Sequence, residues 1–283
     1  MTRIFYLPLA LCYRAIYVLH HHLFLRPQPP LKHSKLVIVG SYRTGGAGKT
    51  PFCLWLSKSI ADKGISVALL CHKYAYDEIF FLKQELQKFG NVQVIGTTNR
   101  HKTSVLLDRQ GVDYIICDDG FEDTRLAARQ TLLLLWEEEP KHIVDLWPFR
   151  QNRSLTKDHN RTKTTKLWCF GANPDVSFFI ESATNAQGVP APSQVNVFCG
   201  IADPERFASD LESAGYSIKG KVFLRDHCRN FERKLRLALA KAPTDCFVIT
   251  QKDAIRLSPK TLQNDRVYVA RQAIKVKKSV LPL

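Results

Sequence analysis

The chain has 283 residues, of which 45% are hydrophobic and 24% charged, so it can bury a sizeable core in one large or two modest domains. Its 41 Lys and Arg residues against 26 Asp and Glu residues give a net charge of +15. This charge favours an anionic partner: nucleic acid, an acidic membrane surface or phosphorylated small molecules. Nucleic acid is the weakest of these options because no zinc-finger spacing, aromatic-basic RNA motif or recognition-helix pattern stands out. The eight cysteines form no CxxC pair, which is typical of reduced core residues in a cytosolic protein.

An apolar, aromatic segment, Ile4 to Leu25, comes first, and it is interrupted by Pro8, Arg14 and three histidines. It is too broken for a spanning helix, which needs about 20 nearly uninterrupted apolar residues, and it lacks a good signal-peptide cleavage site. Two interpretations stay open. The segment is either an interfacial helix whose apolar face enters a membrane surface, or a helix packed on the rest of the chain. We assign residues 1–25 to this N-terminal membrane-associating helix.

The chain continues with an apolar strand, Leu36 to Gly40, and a glycine-rich turn that ends in adjacent lysine and threonine. The glycines let the backbone curl so that successive N–H groups point at an anion. In such a loop the lysine reaches the phosphates and the threonine helps to hold Mg²⁺. Arg43 stands where the strict P-loop pattern has its first glycine, but the required strand, turn and helix are present. We predict that ATP is bound by Gly45, Gly46, Ala47, Gly48, Lys49 and Thr50.

Alternating helical and strand-like segments follow, as in a βαβ unit with parallel strands. The predicted elements are a helix at 52–63, a strand at 65–71, a helix from Asp77 to Gly90 and a strand at 92–95. The pattern predicts an α/β fold with a P-loop NTPase-like parallel sheet.

Another buried strand, Val112 to Cys117, ends in Asp118 and Asp119. A hydrophobic strand that delivers a carboxylate beside a P-loop is the Walker B arrangement, in which aspartate contacts Mg²⁺ directly or through water. Aspartate and glycine also populate ordinary turns, so the pair takes its meaning from the glycine-rich loop before it. We predict a metal site formed by Thr50, Asp118 and Asp119.

From His142 to Lys166 the chain is polar and basic, which indicates either a solvated linker or an anion-binding surface at a domain boundary. We predict a nucleotide-binding domain at 26–152 and a second, smaller α/β domain at 153–283 that closes the active-site cleft. In the second domain Asp203 caps a helix that has Pro204 at its first position.

Five motifs in series resemble the tetraacyldisaccharide 4'-kinase family, the lipid A 4'-kinases. They are GGAGKTP at 45–51, DDGFED at 118–123, GIADPERF at 200–207, the pair at 226–227 and TQKDAIR at 250–256. The resemblance covers nearly the whole chain, and it implies transfer of the γ-phosphoryl group of ATP to the 4'-hydroxyl of a tetraacyldisaccharide 1-phosphate, a lipid A disaccharide precursor. It further implies Mg²⁺ as cofactor, the cytoplasmic face of the bacterial inner membrane as location and no nucleic-acid partner. The oligomeric state stays open.

The resemblance also implies roles for individual residues. Asp77 matches a family carboxylate that pairs with His227 to activate the sugar hydroxyl, and Arg100 and Arg150 are candidates for holding phosphate or sugar. Lys49 and the carboxylates at 118 and 119 take the phosphate and metal roles that the loop pattern already indicates.

The chain departs from the family pattern in several places. The stretch before Asp77 is shortened, Ala47 replaces Thr or Ser, and Gln151 replaces Glu. Two other interpretations stay open: a P-loop ATPase that binds nucleic acid or protein through its basic second half, and a catalytically inactive lipid-binding relative. Lys252 and Asp253 begin a helix after a strand and carry no predicted chemistry.

Overall fold

The computed structural model describes residues 28–41, 46–120, 123, 125–136, 163–226 and 228–277, together with Cys12, Ala15, Ile16, Leu19 and Leu23. The chain divides into two compact units. The first comprises Met1–Val176 and Val276–Leu283, and the second comprises Ser177–Lys275. Among the described residues, no helix combines the length and the apolarity needed to cross a membrane.

The first unit contains a six-stranded sheet in the order β3-β2-β4-β1-β5-β6, and every neighbouring pair is parallel. The strands are β1 (Lys35–Gly40), β2 (Val67–His72), β3 (Val92–Thr97), β4 (Tyr114–Asp118), β5 (Gln130–Leu135) and β6 (Lys163–Trp168). The helices are α1 (Lys49–Ala61), α2 (Tyr76–Leu86) and α3 (Arg100–Arg109). The central strands are almost continuous runs of buried residues, as expected for a parallel sheet.

The strand order places the carboxyl end of β1 beside that of β4. Val37 lies opposite Ile116 and Val39 opposite Asp118, so the loops that follow the two strands begin side by side. In open parallel sheets ligands bind in the crevice at such a switch point. This register brings together the two motifs that the sequence separates by some 70 residues.

Helix α3 is absent from the sequence-based interpretation, which left this part of the chain without an element. Its burial is confined to Ser104, Leu107 and Asp108, so an apolar periodicity is hardly visible. The helix begins because the Asn99 side chain accepts the Lys102 N–H at 3.0 Å.

The boundary between the two units lies between Val176 and Ser177, not at residue 152 or 153 as predicted. Strand β6 pairs in parallel with β5 from Gln130 opposite Lys163 to Leu135 opposite Trp168. The polar stretch at 142–162, which lies outside the described residues, therefore connects two strands of the same sheet.

The second unit contains a five-stranded sheet in the order β7-β11-β10-β8-β9. The strands are β7 (Val176–Thr184), β8 (Gln194–Cys199), β9 (Ser217–Phe223), β10 (Phe247–Thr250) and β11 (Val267–Val276). The pairs β11–β10, β10–β8 and β8–β9 are all parallel. The helices are α4 (Pro204–Ser213), α5 (Phe231–Lys241), α6 (Gln251–Ala254) and α7 (Pro259–Leu262).

Two apolar clusters form the core of the second unit. One contains Phe207 and Leu211 of α4, and the other contains Phe231 and Leu235 of α5. The predicted start of α4 is confirmed, since the Asp203 side chain accepts the Arg206 N–H at 3.3 Å. The predicted fold class, a P-loop-type parallel sheet with a second α/β unit, is thus confirmed.

Candidate active site

The glycine-rich loop after β1 depends on a backbone that only glycine adopts readily. Gly46 and Gly48 have φ values of 67° and 74°, in the left-handed region, and α1 begins immediately afterwards at Lys49. The first turn of this helix is closed by the Phe52 N–H, which donates to the Gly48 carbonyl at 3.0 Å. Gly45, the other predicted phosphate-binding glycine, lies outside the described residues.

The indole of Trp136 holds the loop from the side of β5. Its Nε1 donates to the Ala47 carbonyl at 2.9 Å, across 89 residues of sequence. Ala47 itself is buried, with 2% of its surface exposed. The bond fixes the orientation of one peptide in the loop, and sequence reasoning did not predict this role for Trp136.

The two predicted motifs meet through side chains. Thr50 Oγ1 donates to Asp118 Oδ2 at 2.9 Å, and Lys49 Nζ lies 3.3 Å from Asp119 Oδ2. Asp119 has a φ of 58°, and its N–H donates to the Val39 carbonyl at 2.9 Å. The loop at the end of β4 is thus held against the end of β1, with both carboxylates facing the start of α1.

Asp118 is a buried carboxyl in an acidic environment. Only 6% of its surface is exposed, and burial, followed by the nearby charge of Glu78, raises its pKa to about 7 although Thr50 and Lys49 oppose the shift. The neighbouring thiols are buried too, and burial raises the pKa of Cys53 and brings that of Cys117 to about 12. A site of this kind favours a bound cation, which would stabilise the charged form of Asp118.

Arg100, predicted to hold phosphate or sugar, lies at the same edge of the sheet. Its Nη2 donates to the Asp118 carbonyl at 2.8 Å, and its buried Nε has no hydrogen-bond partner within the described part of the chain. A Cβ on Gly120 would come within 3.4 Å of Arg100 Cδ, so the absence of a side chain there leaves room for the arginine.

The remaining predicted residues are only partly described. Asp77 lies in the first turn of α2 beside Glu78, whose charge acts on Asp118. His227 and Arg150 fall outside the described residues. Glu78 is therefore a candidate site residue that sequence reasoning missed, and the signal that could have found it is its place next to Asp77.

A parallel sheet whose first strand leads through GAGKT into a helix, with an aspartate of the adjacent strand bonded to the threonine, defines the P-loop class of phosphate-binding proteins. Within that class, the chain belongs to the tetraacyldisaccharide-1-P 4'-kinase (LpxK) family, whose model matches residues 2–281. The predicted family and the prediction of a kinase are confirmed.

Individual relatives agree with this membership. A tetraacyldisaccharide 4'-kinase of Rhizobium etli is 27% identical over 259 residues, covering 79% of this chain and 72% of the relative. A protein of the same name from Tolumonas auensis is 25% identical over 258 residues, covering 81% and 76%. LpxK from Aquifex aeolicus, solved in complex with ATP, superposes with a TM-score of 0.68 at 19% identity, covering 99% of this chain and 96% of that one. At this identity the superposition shows a shared fold.

Proposed function

We propose that the chain transfers the γ-phosphoryl group of ATP to the 4'-hydroxyl of a tetraacyldisaccharide 1-phosphate, a step of lipid A biosynthesis. The observation that carries the proposal is the pair of contacts at the start of α1, Thr50 to Asp118 and Lys49 to Asp119. Phosphoryl transfer requires mainly positioning and charge neutralisation, and these four side chains combine a cation for the phosphates with oxygen ligands for a metal.

The residues present fit Mg²⁺. The buried Asp118 and the Thr50 hydroxyl are hard oxygen ligands, and burial together with the charge of Glu78 raises the pKa of Asp118, a shift that a bound cation would oppose. No group of three His, Cys, Asp or Glu side chains able to hold a metal occurs in the described residues, and Mg²⁺ needs none because it keeps waters and substrate phosphates as ligands. When bound, Mg²⁺ would neutralise charge on the transferring phosphate. The chain contributes the ligands and orients them through the β1–β4 register.

The acceptor hydroxyl needs a base, and Asp77 is the proposed one, oriented by His227. Asp77 lies one position before Glu78 on α2, a helix whose first turn is close enough to influence the Asp118 carboxyl. Arg100 and Arg150 are proposed to hold phosphate or sugar. The Arg100 guanidinium group, at the end of β4, has the planar donor geometry that recognises phosphate.

A membrane-surface location is proposed for the N-terminal segment. Ile16, Leu19 and Leu23 are helical positions with 68%, 60% and 54% of their surface exposed. Their spacing puts them on one side of a helix, and an exposed apolar side is what an interfacial helix inserts. Together with the net charge of +15, this supports binding to an anionic membrane such as the cytoplasmic leaflet of the bacterial inner membrane.

The membrane proposal is tested with anionic phospholipid vesicles. The double variant Leu19→Glu, Leu23→Glu should sediment with the vesicles less than the parent does. Leu106→Glu is the matched control, because Leu106 on α3 is also 54% exposed. Equal sedimentation of the parent and the double variant would refute the location.

The activity is tested by following labelled γ-phosphate from ATP to a tetraacyldisaccharide 1-phosphate in detergent micelles with Mg²⁺. The parent should form the phosphorylated lipid, and Asp77→Ala should lose most of this product. The control is Asp62→Ala, which alters an exposed aspartate at the end of α1. ATP hydrolysis without any lipid product would instead support a P-loop ATPase, and nucleotide binding without turnover would support an inactive relative.

A further inference from the structure

The segment Thr250–Arg256, which carries no role in the proposed chemistry, is tied to the loop that follows β8. Asp253 has no exposed surface. Its Oδ2 accepts the Gly200 N–H at 3.1 Å and the Thr250 hydroxyl at 2.9 Å, and its Oδ1 lies 3.3 Å from Arg256 Nη1. The carboxylate therefore locks the end of β10 to the end of β8.

Because Gly200 has no side chain, the loop that follows β9 can pack closely against the contact between Gly200 and Asp253. A Cβ at Gly200 would lie 3.2 Å from Phe231 Cδ2, 3.5 Å from the Arg225 carbonyl oxygen and 3.5 Å from Asp253 Oδ1. The backbone at Arg225 thus packs against the same point that Asp253 fixes. A Cβ at position 200 would be tight only against the Phe231 ring, and it would fill the space between the Arg225 carbonyl and Asp253.

The loop after β9 is held on both sides of position 227. Before it, the Leu224 N–H donates to the Cys199 carbonyl at 2.8 Å, and after it the Cys228 N–H donates to the Arg225 carbonyl at 3.1 Å. Lys252 reaches this loop from α6, the short helix after β10, with its Nζ 3.8 Å from Asp226 Oδ1. Strand β8, through the Cys199 carbonyl, and helix α6, through Lys252, therefore both contact the loop that follows β9.

We infer that Lys252 and Asp253 are positioning residues for phosphoryl transfer: Asp253 sets the backbone beneath the β9 loop, and Lys252 holds the loop through Asp226, directly before His227. The inference rests on the proposed catalytic role of His227. It gives the TQKDAIR segment a function, because a small displacement of a catalytic group costs a large factor in rate.

Lys252 provides the cleaner test because Asp253 is fully buried and its replacement can unfold the unit. The Lys252 and Asp226 side chains are 25% and 33% exposed, so their ion pair contributes little to folding stability. Lys252→Met should lower kcat for lipid phosphorylation about tenfold or more, with the KM for ATP and the melting temperature nearly unchanged. Lys252→Arg should recover most of the rate.

Lys219→Met is the matched control. Lys219 on β9 pairs with Asp245 at 2.6 Å in the same unit, near the amino end of β10, so its loss removes an ion pair away from the β9 loop. If Lys219→Met slows transfer as much as Lys252→Met does, or if Lys252→Met is as fast as the parent, the inference is wrong while the kinase assignment stands.

A double variant identifies the residue through which Lys252 acts. In a His227→Ala background, Lys252→Met should cause no further loss of kcat, because nothing is left to position. Losses that multiply would overturn the inference, as would a fully active His227→Ala. A parent that forms no phosphorylated lipid would instead overturn the proposed function itself.

Discussion

Each unit carries a buried aspartate at or just after the end of a parallel strand, and the two aspartates have different surroundings. Asp253 accepts hydrogen bonds from Gly200 and Thr250 and pairs with Arg256, and these partners oppose the rise in its pKa that burial causes. Asp118 accepts a hydrogen bond from Thr50 but lies near Glu78, and its pKa rises to about 7. Burial of a carboxylate therefore does not by itself indicate a ligand site. The neighbouring charges decide between a scaffold and a site that needs a cation.

The largest expected effect is on catalysis at the site that contains Asp118. Lys49→Ala should reduce lipid phosphorylation about 10²–10³-fold, because it removes the positive charge that stabilises the transferring phosphate. Circular dichroism and melting should remain like those of the parent. Lys58→Ala is the control, since Lys58 lies on the same helix and pairs with Glu85 at 2.8 Å. Transfer by Lys49→Ala at the parent rate would exclude the loop from catalysis.

For Asp253, whose contacts hold its unit together, we predict that replacement lowers the stability. Asp253→Ala removes the buried acceptor of the Gly200 N–H and breaks the ion pair with Arg256, so the free energy of unfolding should fall by about 3–5 kcal/mol in urea titrations. Asp203→Ala removes a helix cap and should cost about 1 kcal/mol. Comparable losses for the two variants would show that Asp253 is not a central contact of its unit.

Asp118→Asn should separate stability from function. A carboxyl with a folded pKa of about 7 holds its proton more tightly in the folded protein than in the unfolded chain, where the value is near 3.8. The contribution of Asp118 to the stability of the parent therefore falls as pH rises from about 4 to about 7. Asparagine does not ionise, so the variant should be more stable than the parent at pH 8, by about 1–4 kcal/mol, and the gap should shrink towards pH 5.

The measurement is urea unfolding in EDTA at both pH values, with Asp62→Asn at an exposed position as the control. If the difference in unfolding free energy between Asp118→Asn and the parent is the same at pH 5 and pH 8, the raised pKa of Asp118 is contradicted. Lipid phosphorylation should be lost in Asp118→Asn at either pH.

The smallest expected effect comes from comparing two buried hydroxyl groups that differ in their hydrogen-bond partners. Ser57 and Ser104 are both buried on helices, with 0% and 1% of their surface exposed. Ser104 Oγ donates to the Arg100 carbonyl at 2.8 Å, whereas Ser57 Oγ has no hydrogen-bond partner within the described residues. Ser104→Ala should lower the free energy of unfolding by about 1 kcal/mol, while Ser57→Ala should leave it unchanged or raise it slightly. The reverse order in thermal melts would contradict this.

Several features of the fold could be predicted because they depend on local sequence. The apolar runs of β1, β2 and β4 required no knowledge of their neighbours, and the start of α4 follows from Asp203 and Pro204. Helix α3 was missed because it buries few residues and shows little periodicity. The boundary at 152 was wrong because the polar stretch before β6 resembles a linker, and only the pairing of β6 with β5 shows that one sheet continues across it.

The sequence by itself determined the family, the phosphate loop and the carboxylates at the end of β4, since each is a contiguous pattern with a local physical reason. The tertiary structure decided which groups act on them. Trp136 reaches the loop across 89 residues, Thr50 meets Asp118 across 68, and Asp253 meets Gly200 across 53. Such contacts depend on strand order and register, which bring distant segments together. A linear pattern of residue types does not specify them.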